Sequence, residues 1–154
     1  VAVDFHGLNA TGRPAGLPVP SPEMRLLERQ ALEAVEGTTG FPPARVEPRE
    51  KTFETCSGKR FYLRTYAGRT PDWFFGVKKE FWNPDEYFVL ACNGRPWNFV
   101  IPINDLLPLK GRFPLDRGGN RKLRVDRPQG EWALINPYPP LPIRKYLEAF
   151  HLLA

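Results

Sequence analysis

Residues 59–103, KRFYLRTYAGRTPDWFFGVKKEFWNPDEYFVLACNGRPWNFVIPI, decide the fold class. The stretch holds four short runs rich in aromatic and β-branched residues, and Gly, Pro, Asn and Asp cut them apart. Runs of that length and composition read as strands, and their breakers as turns. In KRFYLRTYA, Phe61, Leu63 and Thr65 alternate with Tyr62, Arg64 and Tyr66, so one face is expected to enter the core and the other to present rings and cations. DWFFGV and EYFVLAC are nearly continuous apolar runs, the pattern of strands covered on both sides. WNFVIPI follows the Gly94-Arg95-Pro96 turn, and Asn104 or Asp105 could start a short helix through Leu107.

Working outward, residues 1–20 are rich in Gly and Pro without a sustained period, and read as an extended arm or linker. Ser21 is a plausible N-cap, Pro22 suits the first helical position, and Glu23 complements the positive end of a helix. Met24, Leu27, Ala31, Ala34 and Val35 then recur at helical spacing up to Gly37. ARVEP and KTFETC are short strand candidates, and Ser57-Gly58 marks a hairpin turn. On the other side, RKLRVDR and EWALINP can pair around Pro128-Gln129-Gly130. Ile143, Tyr146, Leu147, Phe150 and Leu153 recur at helical spacing and predict a C-terminal amphipathic helix. The expected fold is α+β: residues 21–154 form one domain, with a mainly antiparallel or mixed sheet between an N-terminal and a C-terminal amphipathic helix.

Composition bounds the function. At 154 residues with 42% hydrophobic residues the chain can bury a core. Eighteen prolines, against a usual share of about 5%, punctuate short elements and argue against a helical bundle. The net charge of +5 favours polyanionic partners. Cys56 and Cys92 form no CxxC motif, which fits small thiols in a reducing cytoplasm. No apolar run approaches a membrane span, so no membrane partner is expected. A chain that begins with Val rather than Met reads as a trimmed protein or a piece of a longer one, with further domains or subunits as partners.

Rings and cations together point to nucleic acid, DNA foremost. Flat rings stack on unpaired bases and cations hold phosphates. Residues 110–127 carry seven basic and two acidic residues around a Gly118-Gly119-Asn120 tip. The expected phosphate contacts are Arg117, Arg121, Lys122, Arg124 and Arg127 from this segment, extended by Arg60, Arg64, Arg69, Lys78 and Lys79. Trp82 and Trp97 lie beside turn residues, and together with Tyr66 they are the candidates for stacking a base. Asn93 and Asn98 are the candidates for reading its edge. The bland alternative is that these rings fill a small core.

The order of a helix, strands, and then DWFFGV, EYFVLAC and WNFVIPI resembles the layout of the PD-(D/E)xK restriction-endonuclease-like superfamily over residues 21–107, with Pro71-Asp72 as the PD half. GKRFYLRTYAGRTPDWFFGVKK is similar to the DNA-reading modules that accompany such nucleases. Family membership would imply a magnesium-dependent site in which a carboxylate holds the ion and a lysine orients water. No (D/E)-x-K occurs in this chain, and Lys78, Lys79 and Glu80 follow Asp72 in inverted order. A nuclease would need Asp72, Glu54, Glu80 and a lysine such as Lys78 to converge. His6 and His151 have no metal-ligand neighbours in sequence, so no metal or other cofactor is expected outside that case. The reading is therefore a noncatalytic DNA-binding domain of a restriction or defence protein, a reader of modified or flipped bases. A metal-dependent endonuclease and a protein-interaction module are the alternatives.

Overall fold

The computed structural model describes residues 21–68, 71–93 and 96–154; the arm expected over residues 1–20, and Arg69, lie outside these. Helix α1 (Pro22–Thr39) starts as its sequence dictates, with the Ser21 hydroxyl accepting a hydrogen bond from the Met24 N–H at 3.1 Å. It runs past Gly37 and ends at Gly40, whose φ of 86° is the left-handed conformation that closes a helix and lets its N–H reach Glu36 O.

Among the described residues nine strands follow: β1 (Ala44–Arg45), β2 (Thr52–Glu54), β3 (Arg60–Tyr66), β4 (Trp73–Val77), β5 (Tyr87–Cys92), β6 (Asn98–Pro102), β7 (Arg121–Asp126), β8 (Ala133–Leu134) and β9 (Leu141–Pro142). They form two sheets rather than the single one expected, in the orders β1-β2-β3-β5-β6 and β4-β7-β8-β9. All pairs are antiparallel except β3 with β5. A parallel pair needs a crossover of a dozen or more residues, usually a helix. Here the crossover carries β4 into the second sheet and returns through a short 3-10 turn, Lys79–Phe81.

This connection makes three layers. Between the sheets, Tyr62, Phe88, Leu90, Phe99 and Ile101 meet Trp73, Phe75, Val77, Leu123, Val125 and Leu134. On the other face of the first sheet, Phe61, Leu63, Val89 and Val100 pack against Ala31, Ala34 and Val35 of α1 and against Phe150 and Leu153 near the C-terminus. The continuous apolar run of β5 thus reflects burial on both faces. Strand β4 differs from that expectation: Trp73, Phe75 and Val77 are buried while Phe74 faces outward. The face of β3 expected to carry rings and cations is covered by the second sheet, so Tyr62 is core.

Helix α2 (Ile103–Leu106) continues into a 3-10 stretch through Arg112, close to the short helix expected there. Val125 pairs with Leu134 and Asp126 with Ala133, which is the hairpin read around residues 128–130.

The C-terminal amphipathic helix is corrected to two 3-10 turns, Arg144–Tyr146 and Phe150–Leu153. Leu147 makes a β-bridge to Phe99 at the edge of β6. Glu148, at φ 51°, donates its N–H to Asn98 O and accepts the Asn98 N–H on its carboxylate. Those strand-like bonds use backbone groups that a helix would need. The buried pairs Ile143/Tyr146 and Phe150/Leu153 keep a spacing of three, which suits 3-10 turns as well as a helix. Among the described residues no helix is long and apolar enough to cross a membrane.

Candidate nucleic-acid interface

The indoles show how the structure uses its aromatics. Trp73 stacks on Trp132 at 5.5 Å between ring centroids, and Trp97 lies tilted against Trp132 at 5.1 Å. Trp73 is 2% exposed and Trp132 5%, while Trp97 is half-buried against them. A base inserted between two rings needs about 6.8 Å, twice the ~3.4 Å stacking rise. The three indoles therefore fill each other's space and form core rather than a cage.

Trp82 is 5% exposed and packs on Phe88 and Phe113. Phe88 is the second residue of β5, whereas Trp97 O accepts a hydrogen bond from the Cys92 N–H at the strand's end. The two indoles paired in the sequence reading thus belong to opposite ends of β5, about 13 Å apart at roughly 3.3 Å per residue. Trp82 is not placed to stack a base. Asn98 is fully buried in β6 and cannot reach a base edge. Asn93 is exposed, at φ 59°, and donates its N–H to Tyr66 O at the end of β3. Tyr66 is 39% exposed and packs edge-on against Phe75.

The cations divide by their partners. Arg64 reaches between the layers and donates to Gly76 O and to the Tyr62 hydroxyl. Its guanidinium caps a carbonyl of β4, which blunts the edge of the second sheet. Arg60 pairs with Glu54 at 2.9 Å, and Lys78 approaches Glu50 at 4.0 Å. Lys79 is exposed beyond β4. Arg121 donates to Phe113 O, and Arg127 donates to Gly130 O and lies 5.3 Å from the Trp132 ring centroid. Of these side chains all but Lys79 have a partner of their own within the fold.

One face does bring a ring and cations together. Leu123 and Val125 of β7 point inward, so Lys122 and Arg124 point out on the second sheet's open side. In register, Arg124 lies directly opposite Phe74 and Lys122 opposite Gly76. Phe74 is 38% exposed. Arg124 grips Asp72 with both forks of its guanidinium, at 2.7 and 2.9 Å. Asp72 adopts φ 95°, a backbone conformation costing on the order of 1–3 kcal/mol at a non-glycine residue. The Arg124 grip and the Asp72 N–H bond to Val125 O hold it there.

Beside them Asp116 closes a turn, accepting the N–H groups of Gly118 and Asn120 on Oδ1 at 2.8 and 2.9 Å. The Asn120 N–H bond is the main cause holding the Asp116 carboxyl below the ordinary range. The Asn120 side chain, the Gly118 N–H and the charge of Lys122 add to it. Arg117 is exposed in the same turn. Asp126 is likewise used locally, accepting the Arg127 N–H. Arg112, Arg117 and Lys122 form no ion pair with the described residues, so the positive surplus of residues 110–127 is real in space.

The proposed nuclease set does not converge. Asp72 precedes β4 and Glu80 follows it, so the five-residue strand separates them by about 17 Å at roughly 3.3 Å per residue. Asp72 is engaged by Arg124, Glu54 by Arg60, and Lys78 faces Glu50. Among the described residues no three His, Cys, Asp or Glu side chains gather in a way that could hold a metal ion. Sequence reasoning missed Phe74, whose position directly before the core residue Phe75 gave the sequence no cue separating them. Comparison with family models, with curated proteins and with solved structures returns no match.

Proposed function

We propose that this chain binds nucleic acid, with an unpaired strand as the preferred form, and catalyses no reaction on it. The observation that carries the reading is the outer face of the second sheet, where the exposed Phe74 ring stands opposite Arg124 and beside Lys122. An exposed phenyl ring can stack on an unpaired base, worth about 1–3 kcal/mol. Lys122, Arg117 and Arg112 supply charge that no carboxylate among the described residues neutralises within 4 Å. Arg124 contributes less, because Asp72 already holds its guanidinium.

The test is a titration of fluorescent single- and double-stranded oligonucleotides at two salt concentrations. Each phosphate contact adds about −0.7 to the slope of log affinity against log salt for a single strand. Three free cations therefore give a slope near −2. Lys122→Ala is expected to lower that slope by about 0.7, and Phe74→Ala to weaken binding roughly 5- to 150-fold with little change in slope. Wild type that shows no salt-dependent affinity for any oligonucleotide overturns the proposal and leaves a protein-interaction role. Binding that neither substitution alters removes this face from the mechanism.

A further inference from the structure

The same face carries a hydrogen-bond acceptor at the rim of the exposed ring. Gly76 has no side chain, and neighbouring groups converge on its outer side. A Cβ placed there would lie 3.4 Å from Asp116 Oδ2, 3.8 Å from Asn120 Cβ and 4.0 Å from Phe74 Cε1. The carboxylate and the edge of the Phe74 ring thus approach one common point, and Lys122 is the residue opposite it on β7. The turn orients the carboxylate: Oδ1 is used by two backbone N–H groups, and Oδ2 has the Asn120 amide nitrogen at 3.3 Å. An Oδ2 atom retains capacity for a further donor, since each carboxylate oxygen offers two acceptor sites.

We infer that Asp116 reads the edge of a base stacked on Phe74 and that the base it selects is guanine. This rests on the nucleic-acid reading above. An ionised carboxylate only accepts, so it favours an edge made of donors. Guanine presents two adjacent donors, N1–H and the N2 amino group, on its Watson–Crick edge. Adenine and cytosine each set a ring-nitrogen acceptor beside their amino group. Thymine and uracil set one N–H between two carbonyls. Each of those three edges directs a lone pair at the carboxylate. The negative charge of Asp116 opposes any polyanion, and hydrogen bonding to guanine offsets that opposition; discrimination of this kind combines attraction to one partner with repulsion of the rest. The surrounding N–H groups and Lys122 keep the carboxyl ionised at neutral pH.

The experiment measures binding of the full chain to 12-mer oligothymidylate and to the same strand with one central G, A or C, for wild type and Asp116→Asn. Asparagine keeps an acceptor oxygen for the turn, and thermal unfolding of the variant checks that the fold survives. The guanine strand is expected to bind wild type roughly tenfold tighter than the others, the scale of one hydrogen bond to a charged group. In Asp116→Asn the preference disappears, while affinity for oligothymidylate holds or rises. Equal binding of all four strands by wild type, or a guanine preference that survives in the variant, overturns the inference and leaves nucleic-acid binding intact. Binding of none of the strands overturns both.

Discussion

Replacing Trp132 by alanine tests whether the indoles are core or ligand surface. Trp132 is 5% exposed and meets three rings: Trp73, Trp97 and Phe99, at centroid distances of 5.5, 5.1 and 5.4 Å. A buried tryptophan removes roughly 200 Å² from water. At about 25 cal/mol per Å² this is on the order of 5 kcal/mol. Measured truncations of large buried aromatics, about 3–5 kcal/mol, agree with that scale. Edge-to-face and stacked pairs add to it, although their contributions overlap. For a domain of this size each kcal/mol moves the midpoint by roughly 2–4 °C, so Trp132→Ala should melt about 6–20 °C below wild type. Circular dichroism gives the melting curve, and oligonucleotide binding measured well below both midpoints gives affinity on folded protein. The core reading requires a large drop in midpoint and nearly unchanged affinity. A midpoint within about 2 °C of wild type, with binding lost, would show that this indole faces the ligand and that the packing argument is wrong.

Two further outcomes are expected. Cys56 is exposed, whereas burial pushes the Cys92 thiol well above its ordinary range, so a thiol reagent should label one cysteine quickly and the second only at the rate of unfolding. Rapid labelling of both in native protein would contradict the burial of β5. Because the folded state lowers the Asp116 carboxyl, the stabilisation it gives the 116–120 turn is present above the unfolded value of about 3.9 and is lost as pH falls through the lower folded value. The amide shifts of Gly118 and Asn120 should titrate with a midpoint below 3.9, and a midpoint at or above that value refutes the assigned hydrogen bonds.

The elements that were legible in sequence have unambiguous local chemistry. Ser21, Pro22 and Glu23 mark the start of α1, and the apolar run of β5 marks a strand buried on both faces. The division into two sheets was not legible, and β4 explains why. Its exposed positions hold Phe74, which is apolar, and Gly76, which has no side chain, so an alternating strand imitates a continuous one. The tryptophans misled for a related reason. Turn residues beside an indole mark the end of a strand, and the end of a layered fold must be plugged as well as exposed. At the C-terminus, spacing reported which residues are buried and left open whether a helix or 3-10 turns bury them. Charge was legible as a count, while its partners were not: Arg64, Arg60 and Arg124 are each engaged by groups from other strands or from the loop before β4.

The crossover explains where a site on this fold can be. Joining β3 to the parallel β5 through a strand builds the second sheet directly over the first. Both faces of β5 and β6 are thereby buried, one on the side of α1 and one on the side of β4 and β7. A macromolecule that meets a sheet face here must meet the open side of the second sheet. Strand alternation then selects from the basic segment: Leu123 and Val125 face the core, and Lys122 and Arg124 face out. Asp72 neutralises Arg124, and Gly76 lets Asp116 lie over the strand next to Phe74. Of the cations placed in the strands, Lys122 alone combines an outward position with the lack of an ion pair among the described residues. In the proposed nucleic-acid reading, the contribution of this face therefore falls mainly on Lys122 and Phe74, and its selectivity on Asp116.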